Sequence, residues 1–163
     1  MKRLLILRHA KSSWRNTELN DHERPLKKRG RRDAPRVGRY VAEAGLMPAI
    51  ILSSDAKRAR DTARLVIEAA GYDGTMEVEH ALYLADPEDI VRRLQEAPAE
   101  CPSIMVVGHN PGLEDLLAAL AGRIEPLPTA ALAVLELDIP DWSSLKMDAG
   151  ARLIDVWRPR ERE

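Results

Sequence analysis

Three short apolar runs constrain the fold of this chain more than any other feature of its sequence. They lie at residues 4–7, 50–52 and 104–107, and no charged side chain interrupts any of them. Strands buried on both faces of a sheet require such continuous runs, whereas a half-exposed strand alternates apolar and polar residues. The pattern therefore predicts three short strands within a sheet that is covered on both faces.

Amphipathic helical patterns lie between these runs. Residues 55–70 repeat small and aliphatic side chains at three- and four-residue spacing, opposite a charged side. A second helix is predicted over about 33–44, because Gly45 ends its pattern. A third helix is predicted to begin after the N-cap Asp86, and a fourth after Gly112.

Two late apolar runs, 130–137 and 151–157, predict a final hairpin or edge pair. Strands that alternate with helices favour right-handed crossovers and parallel pairing. We therefore expect an α/β fold with three layers, α/β/α, around a mostly parallel central sheet. A single domain is predicted over residues 1–158, followed by a frayed tail at 159–163.

Length and cysteine content restrict the class of protein further. A chain of 163 residues is long enough for one domain with its own core. Cys101 is the only cysteine in the sequence, which excludes an internal disulfide and favours a reducing compartment. The basic start followed by the 4–7 run resembles a signal peptide, but the run is too short for one. We expect a soluble, cytoplasmic protein without a membrane segment.

Charge is distributed unevenly along the chain. The totals are 25 Lys and Arg against 26 Asp and Glu, yet residues 1–40 hold 13 basic and 4 acidic side chains, a net charge of +9. This cationic front (residues 1–40) fits either a solvated helix face or a docking surface for an acidic partner. A nucleic-acid-binding module is a remote alternative, carried by the basic run 27–32. That run lacks interleaved aromatic residues, so no nucleic acid partner is expected.

Polar residues follow each predicted parallel strand. Arg8 and His9 follow the first, Ser53 and Ser54 with Arg58 follow the second, and His109 follows the third. Ligands of open α/β sheets bind beyond the carboxyl ends of the strands, so these groups are expected to face one pocket. Guanidinium groups around imidazoles suit a phosphate dianion.

Two other chemistries are disfavoured in that pocket. Neither serine pair, 12–13 or 53–54, lies in a Gly-x-Ser-x-Gly elbow, which disfavours an acyl-transfer triad. Arginines repel a metal cation, and the chain has no His-x-x-x-His or Cys-x-x-Cys spacing.

The ordered set of motifs resembles the histidine phosphatase superfamily. It consists of Arg-His-Ala at 8–10, Ser-Ser with Arg-Ala and Thr-Ala at 53–63, and Gly-His-Asn-Pro at 108–111. The segments 8–14, 21–26 and 82–85 are similar to those of small SixA-type phosphohistidine phosphatases. The resemblance implies a phosphoglycerate mutase-like fold and a phosphatase that needs no cofactor or metal.

The resemblance also implies roles for particular residues. His9 is the expected nucleophile and forms a phosphohistidine intermediate, while Arg8 and Arg58 disfavour the imidazolium form and stabilise the transferring phosphoryl group. His109 is expected in the phosphate pocket as a protonated donor.

Further residues are candidates for binding the substrate. Arg24 is a candidate phosphate contact, although it equally fits a charge at the entrance of the first helix. We expect Ser12, together with Lys11 and Ser13, to line the rim of the phosphate pocket. Ser53 is expected either beneath the pocket or capping the following helix, and Trp14 either at the mouth or in ordinary packing.

One departure from the superfamily pattern concerns the general acid. Many members carry Leu-x-Glu where this chain reads Leu82-Tyr83-Leu84. An alkoxide leaves poorly without a proton from such an acid, whereas the imidazole of a phosphohistidine leaves readily once solvent protonates it. The sequence therefore favours a protein-borne phosphohistidine as the substrate, with a small phosphorylated metabolite as the alternative. Glu79 and Asp86 are weak candidates for a substitute acid.

Overall fold

The computed structural model describes residues 1–162, which form one six-stranded sheet flanked by helices. The strands are β1 (Lys2–Arg8), β2 (Ile50–Ser54), β3 (Thr75–Glu79), β4 (Ser103–Gly108), β5 (Leu132–Leu137) and β6 (Arg152–Trp157). The helices are α1 (Lys28–Glu43), α2 (Lys57–Ala70), α3 (Pro87–Gln95) and α4 (Gly112–Ala121). A 3-10 turn at Asp21–Glu23 precedes α1.

The sheet has the strand order β3-β2-β4-β1-β5-β6. Strands β1 to β4 run parallel, while β5 pairs antiparallel with β1 and β6 pairs antiparallel with β5. The predicted mostly parallel sheet and the predicted late hairpin are both confirmed.

Successive side chains of the central strands point to opposite faces of the sheet and pack into two separate hydrophobic cores. Leu5, Leu7, Ile51, Met105 and Val107 pack with α1 and α2 on one face. The residues between them, such as Leu4, Ile6 and Ile104, pack with α3 and α4 on the other face. Since both faces of the strands are covered, their continuous apolar runs are explained, and the three-layer α/β/α prediction is confirmed.

The structure differs from the prediction at three places. Strand β3 has no continuous apolar run, because it is an edge strand whose side chains are largely exposed. Helix α1 begins at Lys28 rather than near residue 33, and the buried Gly30 extends its buried face toward the N-terminus. At the expected frayed tail, Pro159–Arg162 forms a 3-10 helix, and Arg36 donates to the carbonyl of the buried Pro159. Residue 163 of that tail lies outside the described residues.

The strand order brings the polar strand ends together. β2, β4 and β1 are neighbours with parallel direction, so Ser54, Gly108 and Arg8 end at the same edge of the sheet. His9 and His109 follow directly on two of these strands. Within the described residues, no helix is both long enough and apolar enough to span a bilayer.

Candidate active site

A cleft of about 190 Å³ lies at this edge of the sheet. Its walls come from the ends of β1 and β4, the following loops, the segment before α1, and the first turn of α2. The lining residues are Arg8, His9, Lys11, Ser12, Trp14, Arg24, Arg58, Leu84, His109, Asn110 and Thr129. The four expected catalytic residues, together with Ser12 and Arg24, are therefore brought into one cleft.

The His9 ring is held in a single orientation and tautomer. Its Nδ1 lies 2.8 Å from the carbonyl oxygen of Ala10, and because a carbonyl can only accept, Nδ1 carries the proton. The Ala10 amide in turn donates to Thr62 Oγ1 on α2 at 2.9 Å. These contacts leave Nε2 of His9 with a free lone pair, which is the form that a nucleophile requires.

His109 is fixed by a serine of the neighbouring strand. Its Nε2 lies 2.8 Å from Ser54 Oγ, and that oxygen also accepts from the Ala56 amide. The described residues offer the Ser54 hydroxyl proton no other acceptor, so we assign it to Nε2, which places the ring proton of His109 on Nδ1. The two imidazole rings, His9 and His109, lie 5.2 Å apart between centroids.

The expectation for Ser53 is wrong. Successive side chains of a strand point to opposite faces of the sheet, so Ser53 is turned away from the cleft and donates to the carbonyl of Ser54 instead. The contact with the Ala56 amide, at the N-terminus of α2, is made by Ser54 rather than Ser53. The pair at 53–54 therefore marks the site, but the serine that contacts a cleft residue is the second one, Ser54.

Asp21 organises both arginines on the side of the cleft formed by α2. Arg58 donates to the Asp21 carbonyl at 2.7 Å and to its carboxylate at 2.9 Å. Arg24 Nε donates to the same carboxylate at 3.1 Å, and the Tyr83 hydroxyl donates to it as well. Burial opposes ionisation of Asp21, but the hydrogen bonds from Tyr83 and Arg58 lower its pKa to about 2. Asp21 is therefore an ionised anchor near neutral pH and has no proton to supply.

Arg24 lies in the cleft wall rather than in solvent. It is only 7% exposed, and its Nη1 donates to Ser12 Oγ at 2.8 Å. Its guanidinium also lies 3.4 Å from the centroid of the Trp14 ring, which is itself largely exposed at the mouth. Of the two interpretations of Arg24, the structure supports the one that places it at the cleft.

Arg8 is held from the opposite side by the loop after α4. Its Nη1 donates to the Leu127 carbonyl at 3.0 Å, and Asn110 donates to the same carbonyl at 2.9 Å. Glu114 on α4 accepts from both Asn110 and the Leu127 amide, which fixes this loop. The guanidinium of Arg8 is thus positioned before any ligand binds.

The electrostatics of the cleft favour an anion. Its lining contains three arginines and one lysine, and no carboxylate is found among the described residues that line it. Arg8 Nε, Arg58 Nε and His109 Nδ1 are buried without a hydrogen-bond partner within the described part of the chain. Buried unpaired donors are costly, and all three belong to residues that line the cleft, which favours a ligand rich in acceptor oxygens at this position.

Both histidines are neutral near neutral pH. Burial, followed by the charges of His109, Arg58 and Arg8, lowers the pKa of His9 to about 3, against an opposing hydrogen bond to Ala10. Burial and the Arg58 charge likewise lower the pKa of His109 to about 3. Without a bound phosphate His109 is therefore neutral, with its Nδ1 proton to donate, and the expectation of a protonated donor to a bound phosphate stays a prediction.

Neither candidate for a substitute acid reaches the cleft. Glu79 is paired with Arg93 Nε through both carboxylate oxygens, at 2.6 and 2.8 Å. Asp86 forms a capping box with Asp89 at the start of α3, as its position before Pro87 predicts. The carboxylates that the sequence offered for protonating a leaving group are thus engaged elsewhere.

A second, larger depression adjoins the cleft. This cationic groove has a volume of about 750 Å³ and shares Lys11 and Trp14 with the cleft. Its lining includes six basic side chains and, within the described chain, no acidic one: Lys11, Arg15, Lys27, Lys28, Arg29 and Arg31. The cationic front is therefore concentrated next to the mouth of the cleft.

Sequence reasoning missed several residues that position the site. Asp21, Thr62 and Tyr83 each bond to a residue that lines the cleft or to the residue that anchors it. All three lie inside the motif segments, but single-residue roles require the contacts between segments. The signal available in the sequence was the recurrence of polar residues in short segments near the strand ends.

Comparisons with known sequences agree with this geometry. A family model described as the histidine phosphatase superfamily, branch 1, matches residues 4–84. An uncharacterised chloroplastic protein of Arabidopsis thaliana is 35% identical over 153 residues, covering 86% of this chain and 69% of the relative.

Solved structures with the same architecture include two of particular interest. One is an Agrobacterium tumefaciens protein whose assignment as the phosphohistidine phosphatase SixA is provisional. Its structure matches with a TM-score of 0.84 at 30% sequence identity, and the match covers 97% of this chain and 98% of that protein. The other is a mycobacterial glucosyl-3-phosphoglycerate phosphatase, with a TM-score of 0.70 at 21% identity, covering 96% and 98% respectively. The second likeness shows the fold alone.

Proposed function

The chain belongs to the histidine phosphatase superfamily, and on that premise we propose that it hydrolyses phosphohistidine borne by a protein, with His9 as the nucleophile. Arg8, Arg58 and His109 are the proposed phosphate-binding groups of the catalytic centre, with Arg24 and Ser12 as further contacts. The observation that carries the proposal is a cleft lined by cationic and imidazole groups but by no carboxylate among the described residues.

In the first step, the lone pair on His9 Nε2 attacks the phosphorus atom. A new N–P bond forms to His9 while the N–P bond to the substrate histidine breaks, and the departing imidazole carries a proton that it takes from solvent. The neutral state of His9, with Nδ1–H bound to Ala10, makes the required lone pair available at neutral pH.

The unpaired donors stabilise the transfer. The phosphoryl oxygens accept hydrogen bonds from Arg8 Nε, Arg58 Nε and His109 Nδ1, which have no partner within the described chain. Donors that are already fixed by Leu127, Asp21 and Ser54 need little reorganisation when charge develops.

In the second step, water attacks the phosphorus atom of phospho-His9. The His9–phosphorus bond breaks, inorganic phosphate leaves, and neutral His9 is regenerated after proton exchange with solvent. Neither step requires a carboxylic acid at the leaving atom, which matches the composition of the cleft.

The substrate preference follows from the missing acid. Ester substrates expel an alkoxide, a poor leaving group without a proton donor, whereas a phosphohistidine expels an imidazole that solvent can protonate. The cationic groove beside the cleft supports a protein substrate with an acidic surface around its phosphohistidine. A small phosphorylated metabolite is the second candidate, since a glucosyl-3-phosphoglycerate phosphatase has the same fold.

A direct comparison of substrates tests the proposal. Hydrolysis of a phosphohistidine-bearing phosphotransfer protein is measured against a panel of phosphomonoesters, with His9→Ala as the background. We expect kcat/KM for the phosphohistidine protein to exceed that for every ester. Faster hydrolysis of an ester would overturn the proposed substrate, and equal turnover by His9→Ala would overturn the proposed nucleophile.

A further inference from the structure

Outside the cleft, three potential metal ligands from separate segments meet at one point. His22 belongs to the Asp21–Glu23 turn, Asp55 follows β2, and His80 follows β3. His22 Nε2 lies 2.8 Å from Asp55 Oδ1, and His80 Nδ1 lies 3.0 Å from Asp55 Oδ2. One potential ligand atom from each residue lies within 4.8 Å of the other two.

The chemistry of these groups is that of a zinc-type site. Two imidazole nitrogens and one carboxylate oxygen are favoured ligands of Zn²⁺ and related divalent ions, and catalytic or open sites often leave a fourth position to water. We infer that His22, Asp55 and His80 form a binding site for one divalent transition-metal ion of the zinc class. The inference is independent of the proposed phosphatase activity.

The surroundings of the cluster support ligand binding. The ring of Tyr83 packs edge-on against His22, with centroids 4.8 Å apart, and lies 5.7 Å from His80. One aromatic wall therefore restrains both imidazoles. The His80 side chain is 76% exposed, so the outer side of the cluster is open to an incoming ion and to water.

The geometry requires only a small adjustment. Zn–N bonds of about 2.0–2.1 Å in a tetrahedral site place neighbouring ligand atoms roughly 3.3 Å apart. Both imidazoles already approach one carboxylate oxygen, Asp55 Oδ1, at 2.8 Å from His22 Nε2 and 3.2 Å from His80 Nδ1. The remaining movement brings the two imidazoles toward each other, and the exposed His80 side chain has the freedom to make it.

The cluster is distinct from the cleft but lies close to it along the chain. None of its three residues is among those that line the cleft. His22 is adjacent to Asp21, which anchors Arg58, and Asp55 is adjacent to Ser54, which anchors His109. His22 and Asp55 are 33 positions apart in sequence, and Asp55 and His80 are 25 apart. The three ligands therefore form no short metal-binding motif in the sequence.

The test is a titration of the full-length protein, stripped with a chelator, with ZnCl₂ alone. Binding is followed by competition with a chromogenic chelator, and CoCl₂ reports coordination through its visible absorption bands. We expect one ion per chain, an increase in Tm with Zn²⁺, and a tetrahedral-type Co²⁺ spectrum. His80→Ala and Asp55→Asn are expected to weaken binding by about 10-fold or more and to abolish the increase in Tm.

The matched control is His9→Ala, which removes an imidazole from the cleft and leaves the cluster intact. We expect it to bind Zn²⁺ as the unaltered protein does. Because His80 is exposed, His80→Ala is expected to fold even if Asp55→Asn does not. The Zn²⁺ affinity of His80→Ala is therefore sufficient to test the inference. Zn²⁺ binding that survives in His80→Ala, that disappears in His9→Ala, or that is absent from the unaltered protein would overturn the inference.

Discussion

Burial beside arginines determines the chemistry of the two cleft histidines. His9 and His109 are 6% and 4% exposed, and burial together with the charges of Arg58 and Arg8 outweighs the opposing Asp21 carboxylate at His109. Both conditions disfavour imidazolium, so the proposed nucleophile His9 and the proposed donor His109 are both neutral at neutral pH. The same residue types beside a carboxylate would be charged, and His9 would then lack its nucleophilic lone pair.

This burial predicts a loss of stability in mild acid. Both pKa values fall from 6.5 to about 3 on folding, so between these limits the unfolded chain binds more protons than the folded one. The free energy of unfolding should therefore decrease as the pH falls below about 6.5, by on the order of 1 kcal/mol per pH unit for each ring. Urea unfolding at about pH 7, 6 and 5 measures this slope.

His109→Gln separates the contribution of one ring from the rest. With a single titrating imidazole left in the cleft, the decrease in stability between about pH 6.5 and 5 should be distinctly shallower than in the unaltered protein. Equal slopes in the two proteins would show that His109 is not a buried neutral ring.

For single residues, the sequence predicted which side chains lie at the site better than it predicted what each side chain does there. Arg8, His9, Arg58 and His109 were predictable because each lies at the end of a strand, just after one, or one helical turn beyond one. The choice between Ser53 and Ser54 was not, because it depends on which face of β2 each side chain occupies.

Among the elements, helix α1 approaches the segment after His9 closely enough to require a glycine. A Cβ added at Gly30 would lie 2.2 Å from the Lys11 carbonyl oxygen, and the Lys27 amide donates to that same oxygen at 2.9 Å. Gly38, farther along α1, makes a similar approach to α2, where a Cβ would lie 2.5 Å from the Val66 carbonyl oxygen.

These two glycines give a matched pair of substitutions. Both Gly30→Ala and Gly38→Ala should destabilise the fold, by about 1–3 kcal/mol, because backbone must shift to admit the methyl group. Only Gly30→Ala displaces Lys11, which lines the cleft, so its kcat should fall about 10-fold or more while that of Gly38→Ala changes little. Steady-state kinetics on folded protein, with urea unfolding for stability, measures both effects, and equal losses of kcat would contradict this account.

Strands were predictable where both of their faces are buried. Residues 4–7 and 104–107 are covered on both faces, and their apolar runs identified β1 and β4. β3 was missed because an edge strand contributes few side chains to either core, so its sequence, Thr-Met-Glu-Val-Glu, carries little apolar signal. The early start of α1 was missed because basic residues occupy its first turn.

At the scale of the whole molecule, the cationic groove makes the surface beside the cleft strongly asymmetric. Lys11, Arg15, Lys27 and Lys28 have no ion-pair partner among the side chains that the structure describes. Under the proposed function, their field steers an acidic protein so that its phosphohistidine meets the cleft. The uneven charge along the sequence predicted a cationic surface, but only the fold shows that it borders the site.

Reversing charge in the groove tests this role. The double substitution Lys27→Glu with Lys28→Glu should raise KM for an acidic phosphohistidine protein by about 5-fold or more at low ionic strength, with a smaller effect in high salt. Turnover of a small N-phosphorylated donor should be unchanged. Lys146→Glu, on an exposed residue outside the groove, is the control. An equal change in KM for both substrates, or an equal effect of Lys146→Glu, would contradict docking at the groove.

The central claim is that the phosphoryl group passes through His9. The most direct test mixes the protein with a small N-phosphorylated donor, quenches it in alkali on the millisecond timescale to preserve the N–P bond, and locates the phosphate by mass spectrometry. We predict an acid-labile phosphate on His9, formed and lost at rates consistent with turnover, and absent from His9→Ala together with the activity. Phosphate on another residue, or undiminished turnover by His9→Ala, would contradict the mechanism.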